Sequence, residues 1–116
     1  MGLFHVPARL TGRTGRIVTI DVLVDTGATL LVVPRPMADE LELTTQRHQP
    51  VQTAGGRREI WPVGEVRIAI DDREVTTPCF ISPGGPPLLG AVALESLFLA
   101  VDPVARRLVQ VEGFVG

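Results

Sequence analysis

An aspartate closes a run of apolar residues and is followed at once by a turn sequence: Val22-Leu23-Val24-Asp25-Thr26-Gly27-Ala28-Thr29. An apolar run of this kind reads as a buried strand, and Gly27 permits the sharp turn that ends it. A carboxylate there is expected to sit where solvent is scarce, which costs free energy. Chains retain such a cost mainly where the charge does chemistry. Asp-Thr-Gly alone is a weak signal. Average residue usage produces it by chance in roughly a few per cent of chains this long, and a strand running into such a turn is ordinary turn chemistry. The rest of the chain decides.

The 116 residues are 45% hydrophobic and 21% charged, so one globular domain spanning residues 1–116 with one modest core is expected. Net charge is −2, and the basic residues, all Arg, are spread along the chain without an aromatic-interleaved patch. Nucleic-acid binding is therefore not expected. No apolar run is long enough to cross a bilayer, and the first residues lack a basic region leading into an apolar one. A cytoplasmic protein without membrane attachment is expected. Cys79 is alone, which rules out an intrachain disulfide, and in Pro78-Cys79-Phe80-Ile81 it reads as a small core residue. His5 and His48 have no ligand-like spacing, so neither a metal nor a cofactor is expected.

Short strands separated by Gly, Pro and acidic turns organise the chain. Residues 3–10 and 16–24 read as two strands joined by Thr11-Gly12-Arg13-Thr14-Gly15. In the second, Val18, Ile20, Val22 and Val24 share one face, and Asp25 continues the opposite face with Thr19 and Asp21. Leu30–Val33 is a third strand closed by Pro34, followed by a helical turn over Pro36–Leu41. Residues 48–53 and 58–70 flank a hairpin tip, Ala54-Gly55-Gly56-Arg57. A strand at 74–81 follows, then the Pro- and Gly-rich loop Ser82–Pro87. Leu88-Leu89-Gly90 leads into a helix over Ala91–Leu97, with Ala91, Leu94, Leu97 and Phe98 at helical spacing. Strands at 98–101 and 106–111 surround Asp102-Pro103. The expected class is all-β with one short C-terminal helix.

Three segments in this order resemble the retropepsin-like aspartic proteases, the single-domain group that includes retroviral proteases and bacterial relatives. They are Leu23-Val24-Asp25-Thr26-Gly27-Ala28-Thr29, Thr53-Ala54-Gly55-Gly56 and Leu88-Leu89-Gly90. The resemblance implies a small closed β-barrel, a homodimer, and an endopeptidase acting on extended peptides. It makes Asp25 the catalytic carboxyl, one from each subunit, with Thr26 locking the two loops across the axis. It makes the Gly27 carbonyl a ligand for a substrate N–H, with Ala28 beside it. Thr53, Ala54, Gly55 and Gly56 become a flap that closes over the substrate. The chain also departs from the family. Single-domain bacterial relatives often carry Ala-Asn-Gly at the hairpin, whereas Ala54-Gly55-Gly56 is nearer the retroviral flap. Retroviral enzymes place an acid and an Arg where Thr29 and Ala91 stand, so their charged clamp near the dimer interface is missing.

Other features carry two readings each. The strand Leu108–Val111 pairs either between subunits or within the chain. Arg57-Arg58 beside the tip either favours acidic substrates or is simply solvated, and Trp61 walls a substrate pocket or covers the core. Asp21 shares a face with Asp25 but stands four residues away, too far to share a proton. Against the endopeptidase stand a non-catalytic dimerisation or peptide-binding module of the same fold, and a chance motif in an unrelated β-barrel.

Overall fold

The computed structural model describes residues 3–116. Among the described residues, nine strands and two short helices follow one another: β1 (His5–Thr11), β2 (Ile17–Val24), β3 (Leu31–Pro34), α1 (Arg35–Glu40), β4 (Arg47–Gln52), β5 (Arg58–Ile70), β6 (Arg73–Ser82), β7 (Leu88–Leu89), α2 (Ala91–Ser96), β8 (Leu99–Asp102) and β9 (Arg107–Gln110). The predominantly β class agrees with the sequence reading. The helical turn expected near residue 36 is a full short helix, so the structure has two helices rather than one.

The first seven strands form one sheet in the order β1-β2-β7-β3-β6-β5-β4. β1 also pairs with β5 through Arg9–Ala69, Leu10–Ile68 and Thr11–Arg67, so the hydrogen-bond ladder returns to its first strand. β4 pairs with β5 alone and stands outside that ring. The two-residue period explains which side of each strand turns inward. Val66, Ile68 and Ile70 of β5 are buried while Glu65 and Arg67 face solvent. All four residues of β3 are buried, as fits a short strand between β7 and β6. Leu10, Leu31, Ile68, Ile81 and Leu89 are fully buried in the common core, each contributing about 1.5–3 kcal/mol through burial.

β7 was not legible as a strand. Two residues are too few to show a period, and Leu88-Leu89 is a strand only because β2 lies parallel on one side and β3 antiparallel on the other. Phe98 departs from the expected helical face. α2 ends at Ser96, Phe98 adopts φ 55°, and its side chain is exposed. Arg73 of β6 ties down this helix end by donating to the Leu97 carbonyl at 3.0 Å. β9 pairs with β8 of the same chain in a separate two-stranded sheet. On the outer surface Glu74 lies between Arg67 (3.1 Å) and Arg9 (3.4 Å). A hydrogen bond from Arg67, with smaller help from Arg9, holds this carboxyl below its ordinary value.

Candidate active site

Asp25 is the first residue beyond β2, and backbone bonds fix it on both sides. Its N–H donates to the Leu89 carbonyl (3.0 Å), and its own carbonyl accepts from the Ala28 N–H (3.1 Å), closing the turn. The carboxylate Oδ1 accepts the Gly27 N–H at 2.9 Å. Asp25 is half-buried rather than sequestered, because the turn lies at the surface of the single chain; Thr26 and Gly27 are exposed and Ala28 is half-buried. Among the described residues, neither Oδ2 of Asp25 nor the Thr26 hydroxyl has a hydrogen-bond partner.

The Leu88-Leu89-Gly90 segment and the Asp25 turn are one hydrogen-bonded unit. The first N–H groups of a helix have no partner inside it. In α2 the Ala91 and Val92 N–H groups donate to the Ala28 and Thr29 carbonyls, at 2.8 and 2.9 Å. That junction leaves no room for a side chain at residue 90. A Cβ on Gly90 would lie 2.4 Å from the Leu30 carbonyl oxygen and 2.6 Å from that of Ala28. The missing side chain therefore lets the segment press against the turn that carries Asp25.

The hairpin of β4 and β5 carries the second group of residues. The Thr53 N–H donates to the Arg57 carbonyl and the Gly56 N–H to the Thr53 carbonyl, both at 2.9 Å. Only Gly56 of the two tip glycines needs a left-handed backbone (φ 83°), the expected arrangement for a three-residue hairpin loop. Nothing lies within 4 Å of the space a side chain would fill at Gly56. Thr53 is half-buried, and Ala54, Gly55 and Gly56 are exposed. Among the described residues no hydrogen bond joins this tip to the Asp25 turn.

The register assembles a third group that sequence reasoning missed. Leu23 pairs with Leu88, Leu88 with Val32, Val32 with Phe80, and Phe80 with Val63. Paired residues share a sheet face, so these five form an apolar row on the side away from the main core, which instead takes Val24, Leu89, Leu31, Val33 and Ile81. Leu23, Leu88 and Phe80 are only half-buried. Leu23 alternates onto the same side as Asp25, so the row starts beside the carboxylate. Trp61 packs edge-on against Phe80, with ring centroids 6.1 Å apart, and its Nε1–H donates to Glu59 at 2.9 Å. The one available signal was the alternation that puts Leu23 with Asp25; the other members come from distant strands.

The remaining chemical groups stand apart. Cys79 is fully buried on the core side, and desolvation pushes its thiol up to about 12, which removes it as a nucleophile. His5 and His48 are exposed on β1 and β4. Two shallow concavities of about 110 and 150 Å³ flank Glu65 and Arg13 and include no residue of the Asp25 turn or the hairpin tip.

A β-ring whose Asp-Thr-Gly turn is clamped by Leu-Leu-Gly and accompanied by a glycine-tipped hairpin has the architecture of a retropepsin-like aspartic protease. The sequence model of the family described as Aspartyl protease matches residues 6–93. The chain belongs to that family. Among solved structures it is similar to the EIAV protease complexed with the inhibitor HBY-793, with TM-score 0.65 and 20% identity over 81% of this chain and 86% of that one. It is also similar to the simian foamy virus (mac) protease in its solution structure, with TM-score 0.57 and 17% identity over 79% of this chain and 92% of that one. At these identities the likeness is one of fold. No curated protein sequence matches the chain.

Proposed function

We propose that this chain is an aspartic endopeptidase, active as a homodimer in which each subunit supplies one Asp25. The observation that carries the reading is the Asp25 turn itself, its backbone held by Leu89 and Ala28 and one carboxylate oxygen engaged by Gly27. The other oxygen remains for water and for a partner carboxyl. Peptide hydrolysis by carboxyls needs one ionised group to take a proton from water and one protonated group to give a proton to the departing nitrogen. Water oxygen then bonds to the carbonyl carbon and the C–N bond breaks. One chain holds one such group. Asp21, on the same face, stands four residues back, about 13 Å along a strand. Two chains related by a two-fold axis supply the pair. Two carboxyls in contact share one proton because both cannot ionise cheaply, for which the aspartic-protease dyad is the standard example.

The other residues take roles around that pair. The Thr26 hydroxyl is exposed and free to bond across the axis. The Gly27 carbonyl and Ala28 meet the substrate backbone. Thr53, Ala54, Gly55 and Gly56 close over an extended peptide, adding main-chain hydrogen bonds and excluding water. The row from Leu23 to Phe80 receives apolar side chains of the substrate.

The test is cleavage of a peptide library from pH 3 to 8 at several enzyme concentrations, with wild type and Asp25→Asn. Asp25→Asn keeps an oxygen for the Gly27 N–H and relieves a carboxyl pair, so the variant should melt at the same or a higher temperature while losing cleavage. Wild-type specific activity should fall on dilution, and fall at both pH extremes, where the pair is doubly protonated or doubly ionised. Near-wild-type cleavage by Asp25→Asn removes this residue from the mechanism. Concentration-independent activity from a demonstrated monomer defeats the shared site. Peptide binding without cleavage favours the non-catalytic module.

A further inference from the structure

Strand alternation decides which side of the β4–β5 hairpin faces the apolar row beside Asp25. Val63 pairs with Phe80 and belongs to that row, and the two-residue period carries the same side of β5 through Trp61 to Glu59. The register with β4 sets Gln49 opposite Trp61 and Val51 opposite Glu59, so these two share the side. Trp61 touches the row itself, through its edge-on contact with Phe80. Val51, Glu59 and Trp61 are half-buried. The opposite side of β5 continues the core face of Val66, Ile68 and Ile70 past Gly64 and Pro62, and ends uncovered at Ile60 and Arg58, away from the row.

Glu59 is the one carboxylate between Arg47 and Val63, and it lies on the row's side, opposite Val51 and beside Trp61. The Trp61 Nε1–H donates to its Oε1 at 2.9 Å, which fixes the carboxylate against the indole. Its other oxygen has no hydrogen-bond or ion-pair partner among the described residues. Glu74, Glu42 and Asp39, by contrast, each face an arginine. Arg57 and Arg47 stand at the two ends of the same side, but both are exposed and neither pairs with Glu59. A carboxylate partly withdrawn from water and held by one neutral donor is suited to a cationic one. The apolar surface of Val51 and Trp61 suits the methylene stem of a long basic side chain, whose charged head then reaches the carboxylate.

We infer that Glu59 makes this protein select peptides carrying a Lys or Arg close to the apolar side chain that enters the row. The stem of the basic residue lies along Trp61 and Val51, and its ammonium or guanidinium pairs with the Glu59 oxygen that Trp61 leaves open. Glu59 stands one strand period, about 7 Å, beyond Trp61, so the basic residue is a near neighbour of the apolar one in an extended peptide. The inference rests on the reading of the row and the hairpin as the peptide-binding face of a protease. A hydrogen bond between charged groups in a closed, partly dry site is worth about tenfold or more in affinity.

The experiment measures kcat/KM on peptides identical except for Lys, Gln or Glu at each position around one apolar-apolar bond. The enzymes are wild type, Glu59→Gln, Glu59→Lys and Arg57→Gln. Glu59→Gln keeps an oxygen for the Trp61 N–H, so the wall of the site stays in place while the charge is lost. Wild type should prefer Lys over Gln by about tenfold at one position. Glu59→Gln should bring that ratio to near one, Glu59→Lys should turn the preference to Glu, and Arg57→Gln should keep the preference for Lys. Efficient cleavage with no preference for Lys at any position, or a preference that survives Glu59→Gln, overturns the proposal while leaving the protease reading intact. Failure to cleave any peptide counts against the protease reading. The proposal is then read from the affinity of the same peptides for wild type and Glu59→Gln by fluorescence anisotropy. Tighter binding of the Lys form, lost in Glu59→Gln, supports it; equal binding, or none, overturns it.

Discussion

Replacing Gly90 with Ala should break the link between the Asp25 turn and α2. The backbone at residue 90 is extended (φ −91°, ψ −179°), a conformation any residue adopts, so the cost is steric. The added Cβ would meet the Leu30 carbonyl oxygen at 2.4 Å, the Ala28 oxygen at 2.6 Å and the Leu30 carbonyl carbon at 2.8 Å. An ordinary carbon–oxygen contact is about 3.3 Å or more, so the turn must retreat by nearly an ångström. That retreat stretches the bonds from Ala91 to Ala28 and from Val92 to Thr29 past hydrogen-bonding range. Overpacking costs about 1–3 kcal/mol and each loosened bond about 0.5–1.5. Together these come to about 2–6 kcal/mol, or roughly 10 °C or more in melting temperature for a domain of this size. Because the turn carries Asp25, cleavage should fall by about a hundredfold even where the fold survives, as expected for a displacement near 1 Å. Gly84→Ala is the control, since nothing lies within 4 Å of its added Cβ. Thermal melts and kcat/KM on one peptide decide the matter. A Gly90→Ala protein with wild-type melting temperature and activity would refute the clamp.

Three further outcomes are expected. Amide exchange at residues 53–57 should be fast in the free protein and slow at least tenfold with a peptide-like inhibitor such as pepstatin, since the tip touches little else; equal protection in both states contradicts a flap. Burial raises the Cys79 thiol to about 12. Stability from the neutral buried thiol is therefore complete below its ordinary value near 9 and declines as pH rises toward 12, by up to about 1.4 kcal/mol per pH unit. With no Tyr and no Lys in the chain, Cys79 is the one side chain ionising between pH 9 and 11, so urea unfolding of Cys79→Ala should show a flat profile there; an unchanged slope would contradict this. Ile68→Ala removes a fully buried side chain between β1 and β6 and should cost about 2–5 kcal/mol by chemical denaturation; a loss below 1 kcal/mol would mean that the site collapses freely.

Much of the molecule was written locally. Val18 to Val24 alternates by twos, Gly56 provides the one left-handed residue the hairpin tip needs, and Asp25-Thr26-Gly27 ends its strand as a turn. These features depend on neighbouring side chains and backbone sterics, which a sequence displays directly. The strand bounds shifted by a residue or two, because ladder ends are set by partners.

What the tertiary structure decided depends on partners far along the chain. Leu88-Leu89 carries no period of its own and became a central strand because β2 and β3 flank it. The glycine at residue 90 meant little until the carbonyls of Ala28 and Leu30 lay beside it. Phe98, at helical spacing from Leu94, left the helix because the chain turned toward β8. The apolar row from Leu23 through Leu88, Val32 and Phe80 exists only in the register of four strands, and the uncovered side of Ile60 and Arg58 only because β5 outruns the core. Alternation told which side a residue takes; the packed sheet alone determined what that side would face.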